Sequence, residues 1–418
     1  MEVVPQKRRP YSTLEKIEMK KTLVALATLA SVSAFAQSAF SIDGLVDAGY
    51  QVRDYKGNSV SGFNNNGSGT SQINFRFSED MGGGLKTNFR METDINPVSN
   101  GINQGAATAT NSPSQTTALS TFGNGELRIG VSSTSWGAID IGAVNFASLD
   151  AIGVGSPFGT AIGGAYSKVI KADYNGVAVR ADNSARYMTP SFNGLSFSIL
   201  ASKKQNISLV TSGVGTTMSP ATNGLGYNNQ SGVNELAGKY SNGPINAVVS
   251  VLTFDRGGVG TNGTGATTAT SPYNDTKIKL NTGAVNYTIG AWKAGLIVQT
   301  NKGQNATNFV DQSAAALSLV YTTGPLALSI QQGSINNRQA LASPTTNAAT
   351  LVGTTKSFGM GADYALSKNT SLYGRYEKVN DDANLIGGYY SGTTVSIFAT
   401  PSSGTTRSLT AFGIRANF

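Results

Sequence analysis

Basic side chains recur at alternate positions along several stretches of this chain. Arg76 stands in SQINFRFSE, Lys86, Arg90 and Glu92 in LKTNFRMET, and Arg128 in a third segment. Arg180 and Arg186 fall in a fourth, and Arg407 and Arg415 in the last. At a spacing of two, such groups share one face of a strand, opposite its apolar neighbours. Fixed charges around a narrow aqueous path attract, repel and sort small ions. Asp150 is the acidic residue of a glycine-rich stretch, LDAIGVGSPFGTAIGGAYSKVIK, over 149–171. Across a pore from the basic face it would set up a transverse field that orders water and disfavours apolar solutes. The same carboxylate could instead cap the base of that stretch by accepting backbone amides.

Catalytic chemistry has little to work with. The 418 residues include no histidine, which excludes a Ser-His-Asp triad and a His-containing zinc site. No glycine-rich phosphate loop leads from a strand into a helix. Asp381-Asp382 reads as a solvated loop tip rather than a divalent-cation site. Neither an enzyme nor a cofactor nor a metal is expected.

The elements that must hold these charges are strands, because the period of the chain after Gln37 is two. Ile73, Phe75 and Phe77 oppose Gln72, Asn74, Arg76 and Ser78; Leu85, Phe89 and Met91 oppose Lys86, Asn88, Arg90 and Glu92. Sixteen candidate strands follow, at 40–54, 71–79, 85–93, 122–131, 136–144, 177–189, 195–203, 233–241, 245–254, 275–289, 293–300, 313–322, 326–334, 355–365, 371–379 and 405–418. Seven connections are tight and eight are long, in strict alternation, the long ones including 55–70, 94–121, 145–176, 204–232 and 380–404. An even number of strands with short turns at one end and long loops at the other is the pattern of an antiparallel transmembrane β-barrel. In lipid an open sheet edge leaves backbone groups without partners, so the sheet must close. Sixteen strands enclose water rather than a packed core. An arginine on the lipid face would cost about 2–4 kcal/mol at the midplane, so the arginines belong inside. The stretch 149–171 breaks the alternation and is too apolar for a disordered segment; it is expected to fold back and narrow the pore.

Composition agrees. Charged residues are 13% of the chain, about half the soluble average, with 50 glycines and no cysteine. The mean hydropathy of −0.12 excludes a helical membrane bundle. Met19-Lys20-Lys21, the apolar run 22–34 and Ala34-Phe35-Ala36 read as a cleavable secretory signal over 19–36, too short to span a bilayer. Residues 1–18 read as a mis-assigned start, and 37–418 as one barrel domain. Without the six basic and three acidic residues of 1–36, 25 basic and 20 acidic remain, a net +5. That excess is scattered, so no nucleic-acid partner is expected.

These residues resemble the Gram-negative general diffusion porins, in the form common in β-proteobacteria. The resemblance rests on Asp43-Gly44 to Asp47-Ala48-Gly49, on Glu79-Asp80-Met81-Gly82-Gly83-Gly84-Leu85-Lys86, and on Pro157-Phe158-Gly159-Thr160. It continues through Arg180, Asn183, Ser184, Arg186, Tyr187, Pro190 and Gly194, then Gly361 to Lys368 with Leu372-Tyr373. It implies an outer-membrane homotrimer whose pores are each narrowed by the third extracellular loop, here Pro157 to Thr160. Phe418, a terminal aromatic on an alternating strand, looks like the signal read by the barrel assembly machinery. Gln72 stands where the family often has arginine, and Asp140 and Ala143 where it often has basic residues, which thins the basic wall.

The expected function is passive diffusion of ions and small hydrophilic solutes, weakly anion-preferring, through a constriction lined by Arg76, Lys86, Arg90, Glu92, Arg128, Asp150, Arg180, Arg186 and Arg415. A channel specific for one small anionic or polar solute is the alternative, and would need an aromatic track inside; Trp136 and Trp292 fall at turns and most other aromatics share the apolar face. A plugged barrel displaying its loops is the third possibility.

Overall fold

The structure, a computed structural model, describes residues 38–55, 58–98, 101–102, 122–173, 179–211, 216–219, 227–260, 276–304, 309–339, 351–381 and 405–418. The expected signal over 19–36, Asp382 and much of 94–121 and 380–404 lie outside these residues.

The first strands are β1 (Ala39–Tyr55), β2 (Asn58–Asn65), β3 (Gln72–Gly82), β4 (Leu85–Asn96), β5 (Gly101–Ile102), β6 (Leu127–Ser133), β7 (Gly137–Asn145) and β8 (Arg180–Met188). They continue as β9 (Leu195–Thr211), β10 (Thr216–Ser219), β11 (Tyr227–Asn242), β12 (Ile245–Gly260), β13 (Thr276–Ile289) and β14 (Trp292–Gln304). The last are β15 (Phe309–Thr323), β16 (Leu326–Gln339), β17 (Leu351–Ala365), β18 (Thr370–Asp381) and β19 (Thr405–Asn417). One helix, α1 (Ala147–Gly155), lies between β7 and β8.

Leaving aside the short accessory strands β2, β5 and β10, the sixteen remaining strands among the described residues pair antiparallel, each with the next. The sheet closes on itself: β1 pairs with β19 from Leu45↔Asn417 to Tyr55↔Arg407. Closure satisfies the ladder groups of both end strands, as the bilayer demands. The tight turns come from residues that tolerate a left-handed backbone; Gly290 (φ +56) turns β13 into β14.

The segment 55–70, read as a long loop, is instead largely strand. β2 runs antiparallel to β1, from Ala48↔Asn65 to Tyr55↔Asn58, and the chain then breaks at Asn66–Ser71 before β3 takes over beside β1. Asp47 fills the break. Its carboxylate accepts the Ser68 and Gly69 amides (2.6 and 2.8 Å) and the Tyr373 hydroxyl (2.6 Å). The segment Asn58–Asn65 is mostly polar and shows no apolar alternation.

Along β14 the two faces separate cleanly. Trp292, Leu296 and Val298 point outward and are exposed, whereas Ile297 and Gln299 point inward and are buried. The exposed apolar side chains of the other strands, among them Ile129, Ile141, Ile199, Leu317, Ile330, Met360 and Phe412, form the rest of the outer band. Exposure of this kind marks a surface that meets lipid.

The buried apolar core is inside the barrel, which the expectation of an all-polar lumen wall did not foresee. Val144, Phe146, Leu200, Val233, Leu252, Phe254 and Leu280 form one cluster. Ala151, Ile152 and Ile170 meet Val248, Ala284, Ile297 and Ala316 in a second, and Ala165 and Val169 meet Ile335 and Val379 in a third. Each joins the segment 146–173 to inward positions of the wall. The lumen face carries these apolar positions where the loop covers it.

Candidate functional site

The loop over 146–173 is built by the wall it lies on. It begins with α1, which has Ala147, Ser148, Ala151, Ile152 and Gly155 on its buried face. No side chain of the helix caps its N-terminus. Glu235 of β11 does so, accepting the Ala147 and Ser148 amides (2.7 and 2.9 Å), where a carboxylate also meets the positive end of the helix dipole. At the other end Asn286 of β13 donates to the Val154 carbonyl and Ser318 of β15 to that of Gly155, both at 2.8 Å.

The second half is held the same way. Glu377 of β18 accepts the Gly163 and Ala165 amides (3.0 and 2.9 Å) and is itself held by Arg407 (2.6 Å). Gln299 of β14 pairs with both backbone groups of Lys171 (2.9 and 2.6 Å), and Gln331 of β16 donates to the Gly164 carbonyl. Gly359 of β17 lies so close to the Gly163 backbone that any Cβ there would collide with it. Of the four residues expected at the constriction, Phe158 is buried beneath the Arg375 guanidinium, 5.7 Å from the ring centre. Pro157 and Thr160 are exposed, and Gly159 carries the turn between them.

The opposite wall, β1 to β8, is left bare, and there the arginines stand. Arg76↔Arg90 and Arg90↔Arg128 are direct cross-strand partners, an arrangement that repels unless anions are set among the cations. They are. Arg76 pairs with Asp43 (2.5 Å); Arg90 with Glu92 (2.5 Å) and Glu126 (2.6 Å); Arg128 with Asp140 (2.7 Å) and, more loosely, Glu126 (3.5 Å). Arg186 takes the other oxygen of Asp140 (2.7 Å), and Arg180 lies 3.9 Å from Glu92 and donates to the Asn124 carbonyl (3.0 Å). Gly130 leaves room for the Asp140 carboxylate opposite it.

The order of these charges in depth sets what the water meets. The Asp140 and Glu126 side chains are 1% and 4% exposed, whereas those of Arg90, Arg128 and Arg180 are 18–19% exposed. In the middle of this row Glu126 and Asp140 sit behind and the guanidinium edges in front, whereas Arg76 and Asp43 are equally exposed. Nearer the tight turns Lys86 and Arg415 share the inward face, directly opposite Asp80 and Asp47, so cations and carboxylates nearly balance on this wall.

Asp150 departs from both readings made of it. It pairs with Lys239 of β11, on the loop's own side, and the capping of the loop base falls to Glu235. The reason is its place in the first turn of α1, whose exposed side faces β11. Arg407 holds Glu377 and through it anchors the loop. Sequence reasoning passed over Asp43, Glu235, Arg375 and Glu377, all inward by alternation and so open to the same parity argument. Glu126, two residues before Arg128 in the candidate strand 122–131, was open to it as well, although the observed β6 begins only at Leu127.

Comparisons with known proteins agree with this geometry. A family model described as Gram-negative porin matches residues 22–384. The chain is 28% identical over 390 residues to outer membrane porin protein 32 of Delftia acidovorans, covering 90% of this chain and 95% of that one. It is 30% identical over 251 residues to an outer membrane porin protein of Bordetella pertussis, covering 56% and 59%. Among solved structures, an anion-selective porin from Comamonas acidovorans superposes with a TM-score of 0.62 at 20% identity, over 91% of this chain and all of that one. OmpT of Vibrio cholerae in a trimer form gives 0.56 at 12% identity, over 91% and 99%.

Proposed function

Because the chain belongs to the Gram-negative porin family and is thus an outer-membrane channel rather than an enzyme, we propose that it passes ions and small hydrophilic solutes by diffusion with a weak preference for anions. The observation that carries this reading is the depth order on the bare wall, guanidinium edges toward water and carboxylates behind. A path between that wall and the loop is lined by fixed positive charge, while the paired acids keep the field modest. The described selectivity of the Comamonas acidovorans neighbour has the same sign.

We also infer that three barrels assemble, as the family resemblance implies, and that the chain is exported on a signal cleaved after Ala36. The test of the channel reading is the reversal potential of purified protein in a planar bilayer under a KCl gradient. Conductance in steps of three with an anion-side reversal supports it. A cation-side reversal would mean that Glu92, Glu126 and Asp140 govern the narrow level. Saturable uptake of a single solute would favour the solute-specific channel instead.

A further inference from the structure

The segment 66–71 does more than separate β2 from β3. It lies on the inner face of the wall, because the side chains beneath it point into the lumen. Asp47, which accepts the Ser68 and Gly69 amides, is buried and inward on β1. The Asp47 amide donates to the Ser71 hydroxyl (2.9 Å), which donates back to the Asp47 carbonyl (3.1 Å). Gly67 lies so close over the Tyr373 hydroxyl that any Cβ there would collide with it. A Cβ on Gly69 would meet Leu45 at 3.5 Å and the Arg415 guanidinium at 3.9 Å. Leu45 shares the inward parity of Asp47, and Arg415 is the cross-strand partner of Asp47.

The same row of side chains carries the constricting loop. On β18 Tyr373, Arg375 and Glu377 alternate inward. Glu377 holds the Gly163 and Ala165 amides, and Ile162 packs on Tyr373 together with Ala411. Arg375 touches both segments. It donates to the Ser68 hydroxyl (2.9 Å) and covers the Phe158 ring. Its place is fixed by Asp363 (2.7 Å), by the Ala362 and Gly374 carbonyls (3.2 and 3.1 Å), and by the Tyr373 ring at 5.5 Å. At its other end the segment reaches the bare wall, where the Ser71 carbonyl accepts the amide of Ile95 (2.9 Å), next to Asp94 on β4. The segment 66–71 thus joins the constricting loop to the arginine wall and completes a ring around the path. Asn66, Gly69 and Thr70 are half-buried in that ring.

We propose that 66–71 is a second constriction element, that a charge carried on it sets ion selectivity, and that Arg375 is the positioning residue that holds it to the constricting loop. The inference rests on the channel reading. Charges fixed at a narrow aqueous level act on every passing ion, whereas charges at a wide mouth are screened. Gly69 is the place to put one. Its backbone is not left-handed, and its nearest neighbours leave ordinary van der Waals room for a Cβ.

The test is the reversal potential of purified full-length barrels in planar bilayers under a KCl gradient. Gly69→Asp is expected to lower the anion-to-cation permeability ratio roughly two- to fivefold. Gly69→Lys is expected to raise it by a similar factor, and Gly69→Asn to leave it as in wild type. Arg375→Met frees both segments and is expected to abolish the difference between Gly69→Asp and Gly69→Asn made on that background. Heat-modified mobility on gels checks that each variant is a folded barrel, and the lysine variant answers the question by itself if the aspartate variant does not fold. Equal potentials in wild type, Gly69→Asp and Gly69→Lys would overturn the proposal. So would shifts of the same sign in the aspartate and lysine variants, which would report distortion rather than charge. A difference that persists with Arg375→Met would overturn the role given to Arg375. A wild-type barrel without conductance would count against the channel reading, whereas a conducting barrel indifferent to charge at Gly69 would count against this inference alone.

Discussion

Asp140 touches two arginines at once, Arg128 and Arg186, each at 2.7 Å. Its removal should expose the field that it tempers. One unit of charge about 8 Å from a passing ion is worth roughly 0.2–0.5 kcal/mol in screened water, with opposite sign for the two ions. Asp140→Asn is therefore expected to raise the anion-to-cation permeability ratio about two- to fivefold, read as a more anion-side reversal potential in KCl. An unchanged potential would place Asp140 away from the narrow level.

Lys171 is a different case. Its ammonium is buried under the loop, donating to Gln312 (3.2 Å), and burial pulls its pKa down to about 8, with Asp173 acting in the opposite sense. The docked loop thus carries a penalty that is fully present below about pH 8. Between about 8 and 10.5 the docked lysine is neutral and the undocked one still charged, so rising pH favours docking, by on the order of 3 kcal/mol in total. Cleavage within 146–173 by subtilisin should slow relative to an unstructured control peptide as pH rises through this window. Lys171→Met should abolish the dependence.

The loop owes its form to its contacts with the wall. α1 is nine residues long, too short to persist alone in water, and draws its capping from Glu235, Asn286 and Ser318. Glu235→Gln keeps the size but loses the charge-assisted acceptance of two amides, at a cost of about 1–3 kcal/mol. Faster proteolysis near Ala147 with an intact barrel is the expected result. Gly359→Val attacks the other end, since its side chain would occupy the space of the Gly163 backbone. The strand ladder can absorb valine, so the loop must yield. A larger and noisier single-channel conductance is expected with an unaltered far-UV spectrum; an unchanged conductance would mean that the loop does not set the pore width.

Closure decides the rest of the architecture. Phe418 exchanges backbone hydrogen bonds with Gly44 (3.0 and 3.1 Å), and its ring lies over that glycine. The last residue thus fastens β19 to β1 at the seam. Deleting Phe418 loses two ladder bonds, each about 1 kcal/mol, together with an exposed interfacial aromatic. A lower yield of heat-modifiable barrel in the membrane is expected, and a normal yield would remove Phe418 from any role in assembly. The distribution of charge is also a property of the closed barrel. On the pore wall the cations stand among nearly as many carboxylates, so the mature chain's excess of five is not concentrated there.

The strand count, the barrel and the side on which Arg76, Arg90, Arg128, Arg180, Arg186 and Arg415 stand were determined by the sequence itself. Alternation is local, and lipid allows only one arrangement of an alternating sheet, closed with its charges inward. Strand 58–65 escaped notice because it is mostly polar and carries no apolar alternation. Apart from Glu92 beside Arg90 and Glu126 beside Arg128, the partners of the pore charges belonged to the tertiary structure. Glu126 and Asp43 are 36 and 33 residues from the arginines they meet, and Asp150 and Lys239 are 89 apart. No periodicity encodes such distances. The loop's direction was likewise settled by wall groups up to 214 residues away, because a short helix with no cap of its own takes whatever surface supplies one.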